Sequence, residues 1–166
     1  MLHGSLFCFQ QYGILPDAVT FAKGIAGGLP MAGVMANEKC RNVLTPGTHA
    51  TTFGGNPIAA AAALAVLNEL DDAFLAGVNV KGEYLKEKIA SFRADCVETV
   101  RGLGLMVGIV LKDGVDRAAL VKALYDRHIL VLTAGPKTIR LLPPLVISYE
   151  EMDRGLEALK DVLCGA

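Results

Sequence analysis

From Ile58 to Leu70 the chain is built of Ala, Leu, Val and Ile, with only Asn68 and Glu69 polar. Asn56 is a good helix N-cap and Pro57 suits the first helical position, so the run predicts a helix. A helix with almost no polar face has to be covered on all sides. It is too short to span a bilayer, so the expected cover is protein. The sequence therefore predicts an element that packs inside an assembly.

The residues before this helix, His49-Ala50-Thr51-Thr52-Phe53-Gly54-Gly55-Asn56-Pro57, suggest why its start matters. A helix N-terminus presents unpaired N–H groups and a positive dipole end, and two glycines let an anion approach. The hydroxyls of Thr51 and Thr52 add donors. Physically this is a phosphate cup. The same residues also read as a capped helix with incidental threonines, and capped helices far outnumber phosphate sites.

Upstream, Ala18-Val19-Thr20-Phe21-Ala22 leads into Lys23 and then Gly24-Ile25-Ala26-Gly27-Gly28-Leu29-Pro30. The apolar, β-branched run predicts a buried strand, and the glycines predict a sharp turn after it. An amine at the carboxyl end of a strand lies where open α/β sheets bind ligands. Apolar neighbours would lower its pKa by disfavouring the charged form, and such a lysine can attack carbonyls to form a Schiff base. A lone lysine is more simply a solvated cation, since most Lys side chains are exposed. The chemical reading rests on the neighbouring motifs.

Pro16-Asp17-Ala18-Val19-Thr20-Phe21-Ala22-Lys23-Gly24 with Gly27-Gly28-Leu29-Pro30 resembles the cofactor-lysine segment of class III (ornithine-type) pyridoxal-phosphate aminotransferases. Thr51-Thr52-Phe53-Gly54-Gly55-Asn56-Pro57 resembles a second segment of the same family. Two further stretches extend the likeness to nearly the whole chain. Arg101-Gly102-Leu103-Gly104-Leu105-Met106-Val107-Gly108 is similar to its G-x-G-L-M-x-G strand pair and is read as scaffold. Arg140-Leu141-Leu142-Pro143-Pro144-Leu145 is similar to its R-x-x-P-P-L segment. Within the family the resemblance is closest to the acetylornithine aminotransferases, because ornithine aminotransferases usually carry tyrosine where Phe53 stands.

The resemblance implies that Lys23 is the catalytic residue and carries pyridoxal 5'-phosphate. It implies that Thr52, with Thr51 beside it, reaches the cofactor phosphate of a neighbouring subunit. Arg140 is implied to face the active site and pair with a substrate carboxylate, or with a nearby glutamate, a task for which the two parallel donors of guanidinium are suited. The implied reaction moves the δ-amino group of N-acetylornithine to 2-oxoglutarate, in arginine biosynthesis.

Bulk properties agree without selecting this reading. The 166 residues suffice for one domain or one and a half. Sixteen basic against seventeen acidic side chains, a net charge of −1, give no electrostatic case for nucleic acid or anionic membrane. Cys8, Cys40, Cys96 and Cys164 lie far apart and read as reduced thiols, with no metal spacing. No signal peptide is evident, and a cytoplasmic location is expected. His3, His49 and His128 attract no role, and Asp71-Asp72 reads as a turn or helix start. With 52% hydrophobic residues and a mean hydropathy of +0.42, some apolar surface is expected to meet a partner.

The expected fold class is α/β and α+β: the C-terminal part of a fold-type I transferase. Residues 1–75 read as the remnant of a large pyridoxal-phosphate-binding α/β domain, with a return strand near Met31–Ala36. Residues 76–166 read as a small α+β domain with a mainly antiparallel sheet. Val78, Leu85, Ile89 and Phe92 fall at helical spacing. Strands are expected near Cys96–Arg101 and Leu105–Leu111, then a helix over Val115–Arg127 with Ala118, Val121, Leu124 and Tyr125 inside. Strands near Ile129–Thr133 and Thr138–Leu142 follow. Ser148 and Glu151 form a capping box for a last helix buried through Met152, Leu156, Leu159 and Val162.

The family's aspartate partner of the pyridine nitrogen is expected upstream of Met1, so the isolated chain is expected to be a poor transaminase. Three readings stay open: a fragment of an aminotransferase, one half of a split enzyme completed by an N-terminal half, or a non-catalytic dimerisation or regulatory module. A homodimer is the expected assembly of the intact enzyme.

Overall fold

The β-branched run forms β1 (Ala18–Phe21) and pairs antiparallel with β2 (Gly33–Ala36), Ala18 opposite Ala36 and Phe21 opposite Gly33, in a computed structural model that describes residues 1–165. A 3-10 turn, Lys23–Ala26, continues from β1 and ends at Gly27, whose φ is +60°. Helix α1 (Pro57–Asn68) packs on that turn, burying Ala59 and Ala63 at the same level of exposure as Ile25 and Ala26. These elements lie within one of two units, residues 7–74; the other comprises residues 1–6 and 75–166.

Two expectations change here. The strand before Lys23 is not buried: its residues alternate between exposed and half-buried, because β2 is its only sheet partner and a two-stranded ribbon has little core of its own. Helix α1 is not covered on all sides. Only Ala59 and Ala63 are buried, while Ile58 and Leu64 are 71% and 62% exposed. The helix forms as its caps dictate, but one side only has a neighbour among the described residues.

The larger unit is an antiparallel sheet of four strands in the order β3 (Val97–Leu103), β4 (Met106–Leu111), β6 (Thr138–Leu141), β5 (Leu132–Ala134). Its helices are α2 (Asp72–Ser91), whose first three residues belong to the smaller unit, α3 (Arg117–Tyr125) and α4 (Tyr149–Cys164). This is the small α+β layout that the sequence predicts. Val107, Ile109, Leu111 and Ile139 share one sheet face and are fully buried, as alternation along a strand requires. Val78, Leu85 and Ile89 of α2 and Met152, Leu156, Leu159 and Val162 of α4 are buried too, as the helical spacing predicts.

Helix α3 is turned relative to the expected stripe. Leu120 and Leu124 are buried, whereas Ala118 and Tyr125 are exposed. Leucine offers more apolar area than alanine, and the helix rotates to bury it. The strand expected over Ile129–Thr133 shortens to Leu132–Ala134, with His128 held at a left-handed φ of +62° just after α3.

The capping box on α4 is formed. The Ser148 hydroxyl accepts from the Glu151 N–H at 3.1 Å, and the Glu151 carboxylate accepts from the Ser148 N–H at 2.8 Å. The Ser148 N–H first, and then the Ser148 hydroxyl, which donates to the same carboxylate at 2.9 Å, hold the Glu151 carboxyl below its ordinary 4.5. A carboxyl whose pKa is lowered by folding stabilises the fold above its unfolded value and loses that contribution as pH falls through the folded one. Ser148→Ala is expected to cost about 1 kcal/mol in urea unfolding at neutral pH. Part of that difference should disappear as the pH is taken below 4.5. A pH-independent difference would assign the effect to the hydroxyl alone.

Candidate functional site

Lys23 is placed by the β1–β2 ribbon, whose open end lies at Ala18 and Ala36, and by the turn that follows β1. Asp17 fastens that open end: its carbonyl accepts from the Asn37 N–H at 2.9 Å, and its carboxylate accepts from the Asn37 side chain at 2.6 Å. Lys39 adds an ion pair at 3.0 Å. Asn37 first, then Lys39, keep the Asp17 carboxyl below its usual range. Sequence reading gave Asp17 no such role. The pair lies twenty residues apart across the ribbon, and only the pairing register brings it together.

At the other end of β1 the backbone of Lys23 turns left-handed, with φ +63°. An L-residue pays for that conformation through Cβ crowding, at about 1–2 kcal/mol. Glycine is its ordinary occupant, and glycine is available on the next position. Lysine therefore stands where backbone preference argues against it. Its side chain is exposed, so the apolar wall expected around its ammonium is not supplied by the described residues. What the chain does supply is an accessible primary amine on a fixed turn.

Thr51 and Thr52 lie in the turn that enters α1, and both are exposed. Gly54 N–H donates to the Thr51 carbonyl at 3.3 Å, and Asn56 N–H donates to that of Phe53 at 3.3 Å, which folds the segment into successive turns. The Thr51 methyl lies over Gly54, where a Cβ would meet it at 2.5 Å. The helix start differs from the expected open cup. The Asn56 side chain accepts from the Ile58 and Ala59 N–H groups at 2.9 and 3.3 Å, so those donors are taken. An anion would be met here chiefly by hydroxyls and by the N–H groups of the turn itself.

Lys23 and the two threonines belong to the same unit, with no hydrogen bond between them among the described residues. Arg140 belongs to the other unit. It sits in β6 between Gly108 of β4 and Leu132 of β5. The residue is half-buried, and its Nε is fully buried with no acceptor. A buried donor left unpaired costs about 1–3 kcal/mol. That makes the guanidinium receptive to an acceptor from outside the unit.

Within the smaller unit the donors suit a carbonyl compound that bears a phosphate: one amine to bind the carbonyl, hydroxyls and turn amides for the phosphate. Among the described residues no three His, Cys, Asp or Glu are grouped to hold a metal ion, and no helix is long and apolar enough to cross a membrane. Two cavities, of about 500 and 350 Å³, are lined by none of Lys23, Thr51, Thr52 or Arg140.

Known proteins place this chain. The profile of the family described as aminotransferase class-III matches residues 3–163. The acetylornithine aminotransferase of Streptococcus mutans is 45% identical over 162 residues, which cover 96% of this chain and 42% of that protein. The acetylornithine aminotransferase of Caldanaerobacter subterraneus is 42% identical over 163 residues, covering 96% and 41%. Among solved structures, the acetylornithine aminotransferase from Elizabethkingia anophelis superposes with a TM-score of 0.86 at 29% identity, over 99% of this chain and 45% of that one. The chain thus spans well under half the length of the relatives it matches. The conclusion from profile, identity and fold together is that this chain belongs to the class III aminotransferases, of which it represents a C-terminal portion.

Proposed function

We propose that the chain is the lysine-bearing portion of a pyridoxal-phosphate-dependent aminotransferase that transfers the δ-amino group of N-acetylornithine to 2-oxoglutarate in arginine biosynthesis. The observation that carries this reading is Lys23 itself: an exposed amine on a left-handed turn at the end of β1. The names of the relatives, acetylornithine aminotransferases at 42% and 45% identity, favour that substrate.

When bound, pyridoxal phosphate supplies an electron sink next to the substrate carbon. In this reading Lys23 is the residue that would hold the cofactor, through Nζ, and its amine would serve as the acid and base that moves the proton at the substrate carbon. The hydroxyls of Thr51 and Thr52 hold the phosphate of a neighbouring subunit's cofactor. The Arg140 guanidinium takes a substrate carboxylate in a bidentate grip. The active assembly is a cytoplasmic homodimer in which an N-terminal half completes each site. Exposed apolar residues in the smaller unit, among them Leu15 (89%), Phe53 (81%) and Ile58 (71%), are a surface of the kind that subunit contacts cover.

The test is chemical. Pyridoxal phosphate is added to the purified chain, the mixture is reduced with borohydride, and the modified peptide is sequenced by mass spectrometry. A single modified site at Lys23 is expected. Modification spread over surface lysines such as Lys39 and Lys122 would remove the reading in favour of a non-catalytic module. Amino transfer that arises only after an upstream half is added would identify the chain as one part of a two-part enzyme.

A further inference from the structure

The C-terminal ends of helices α2 and α4 meet through two thiols that take no part in the proposed chemistry. The Cys96 thiol donates to the Leu163 carbonyl at 3.2 Å, and the Cys164 thiol donates to the Phe92 carbonyl at 3.8 Å. The contact is reciprocal. Cys96 follows α2 and reaches the end of α4, while Cys164 ends α4 and reaches back to the residue just after α2. Carbonyls at helix ends have no partner within the helix, so each thiol serves as a weak cap for the other's element. Both cysteines belong to the larger unit, and the contact is made by groups that are present rather than by a gap.

The Leu163 carbonyl carbon is bonded to the Cys164 nitrogen, which puts the Cys164 Cα about 2.8 Å from the oxygen that Cys96 Sγ touches. Cys96 Sγ therefore lies within roughly 6 Å of that Cα. A disulfide needs Cα atoms about 4.4–6.8 Å apart and the sulfurs in bonding contact. Rotation about the Cys164 Cα–Cβ bond swings its sulfur from Phe92 toward Cys96, and the terminal turn of a helix yields more readily than its middle. Exposure separates the two roles. Cys164 is exposed, whereas Cys96 is buried at 6%. Burial pushes the Cys96 thiol up, and the neighbouring Cys164 adds to the rise. An oxidant from solvent reaches Cys164 first.

We propose that Cys96 and Cys164 are a modification site, a redox pair that hydrogen peroxide closes into a disulfide fastening the end of α4 to the start of β3. The Cys164 thiolate attacks one peroxide oxygen, the O–O bond breaks, and the leaving hydroxide takes up the thiol's proton, giving a sulfenic acid and water. The Cys96 sulfur then attacks the Cys164 sulfur. The S–S bond forms, the S–O bond breaks, and the departing hydroxide takes the Cys96 proton. Two thiols lose two electrons, and one peroxide becomes two waters. Thiols are weak donors, so little is lost with the two caps, while the closed loop restricts the unfolded chain. Cys8 and Cys40 belong to the smaller unit and serve as internal controls.

The whole chain is treated with hydrogen peroxide, remaining thiols are blocked with N-ethylmaleimide, and the protein is digested without reductant for mass spectrometry. A peptide cross-linked between Cys96 and Cys164 is expected, opened again by dithiothreitol, with Cys8 and Cys40 recovered as blocked thiols. The thermal unfolding midpoint of the oxidised chain should exceed that of the reduced chain by at least about 5 °C. Cys164→Ser, on the surface, should remove the cross-link and the shift together. Cys96→Ala should leave Cys164 as a sulfenic acid that dimedone traps. In the native chain, Cys164 oxidised to sulfenic or sulfinic acid beside an intact Cys96 thiol overturns the pair. A disulfide formed only between chains overturns it too, as do two thiols that stay unmodified or a cross-link that leaves the midpoint unchanged.

Discussion

Lys23→Ala is expected to abolish amino transfer in whichever assembly of this chain supports it, with a loss of at least about 10⁴-fold in turnover. The argument begins with what the side chain does not do. It is exposed, it lies outside every ion pair among the described residues, and no strand or helix core depends on it. Thermal stability should therefore be unchanged by alanine, which keeps the same Cβ crowding at φ +63°. Lys23→Gly sharpens the contrast. Glycine adopts the left-handed region freely, so this variant should be at least as stable as the native chain, by up to about 1 kcal/mol, and equally inactive. A position that becomes more stable as it loses activity is held against backbone preference for its chemistry. Partial return of turnover with added small amines would separate the missing amine from any structural effect. If Lys23→Gly keeps native turnover, the amine is not the group that the reaction uses.

The second large effect is on folding. Gly82→Val should unfold the larger unit or cost it more than about 3 kcal/mol. A Cβ at Gly82 would lie 2.1 Å from the carbonyl oxygen of Gly104, in the turn between β3 and β4. That turn cannot withdraw. A Cβ on Gly104, whose φ is +51°, would lie 2.3 Å from the Leu2 carbonyl, which itself accepts from the Leu105 N–H at 2.9 Å. Helix α2, the β3–β4 turn and the first residues of the chain thus meet backbone to backbone. The Asn79 side chain adds a bond to the Gly4 carbonyl at 3.0 Å. Gly77, on the same helix, is the control: a Cβ there meets nothing within 4 Å. Gly77→Ala should stabilise by about 0.5–1 kcal/mol through helix propensity alone. Urea unfolding of the two variants side by side decides the matter, and a Gly82→Val chain as stable as the native one would show that the close approach is not required.

Much of the larger unit could be read from the sequence because its signals are local. The capping box at Ser148 and Glu151 and the spacing of Met152, Leu156, Leu159 and Val162 define α4 with no reference to the rest of the molecule. Helix α3 was harder. Its expected stripe contains Ala118 and Tyr125, which fit a second rotation of the helix, and only packing chose the one that buries Leu120. The strand expected over Ile129–Thr133 starts at Leu132 for a related reason: apolar composition marks a candidate strand, but pairing with β6 decides where it starts.

In the smaller unit the sequence by itself determined the chemistry on offer: the amine at the end of an apolar run, the threonines ahead of an Asn-Pro helix start, and the family to which those motifs belong. Covalent identity and local backbone preference are written residue by residue, so they survive whatever surrounds them. Only the tertiary structure decided that Asp17 locks the end of the ribbon remote from Lys23, and that Arg101 and Arg140 lie on either side of Gly108. Each of these depends on strand register or on the direction of a side chain, and those are set by contacts between segments far apart in the chain.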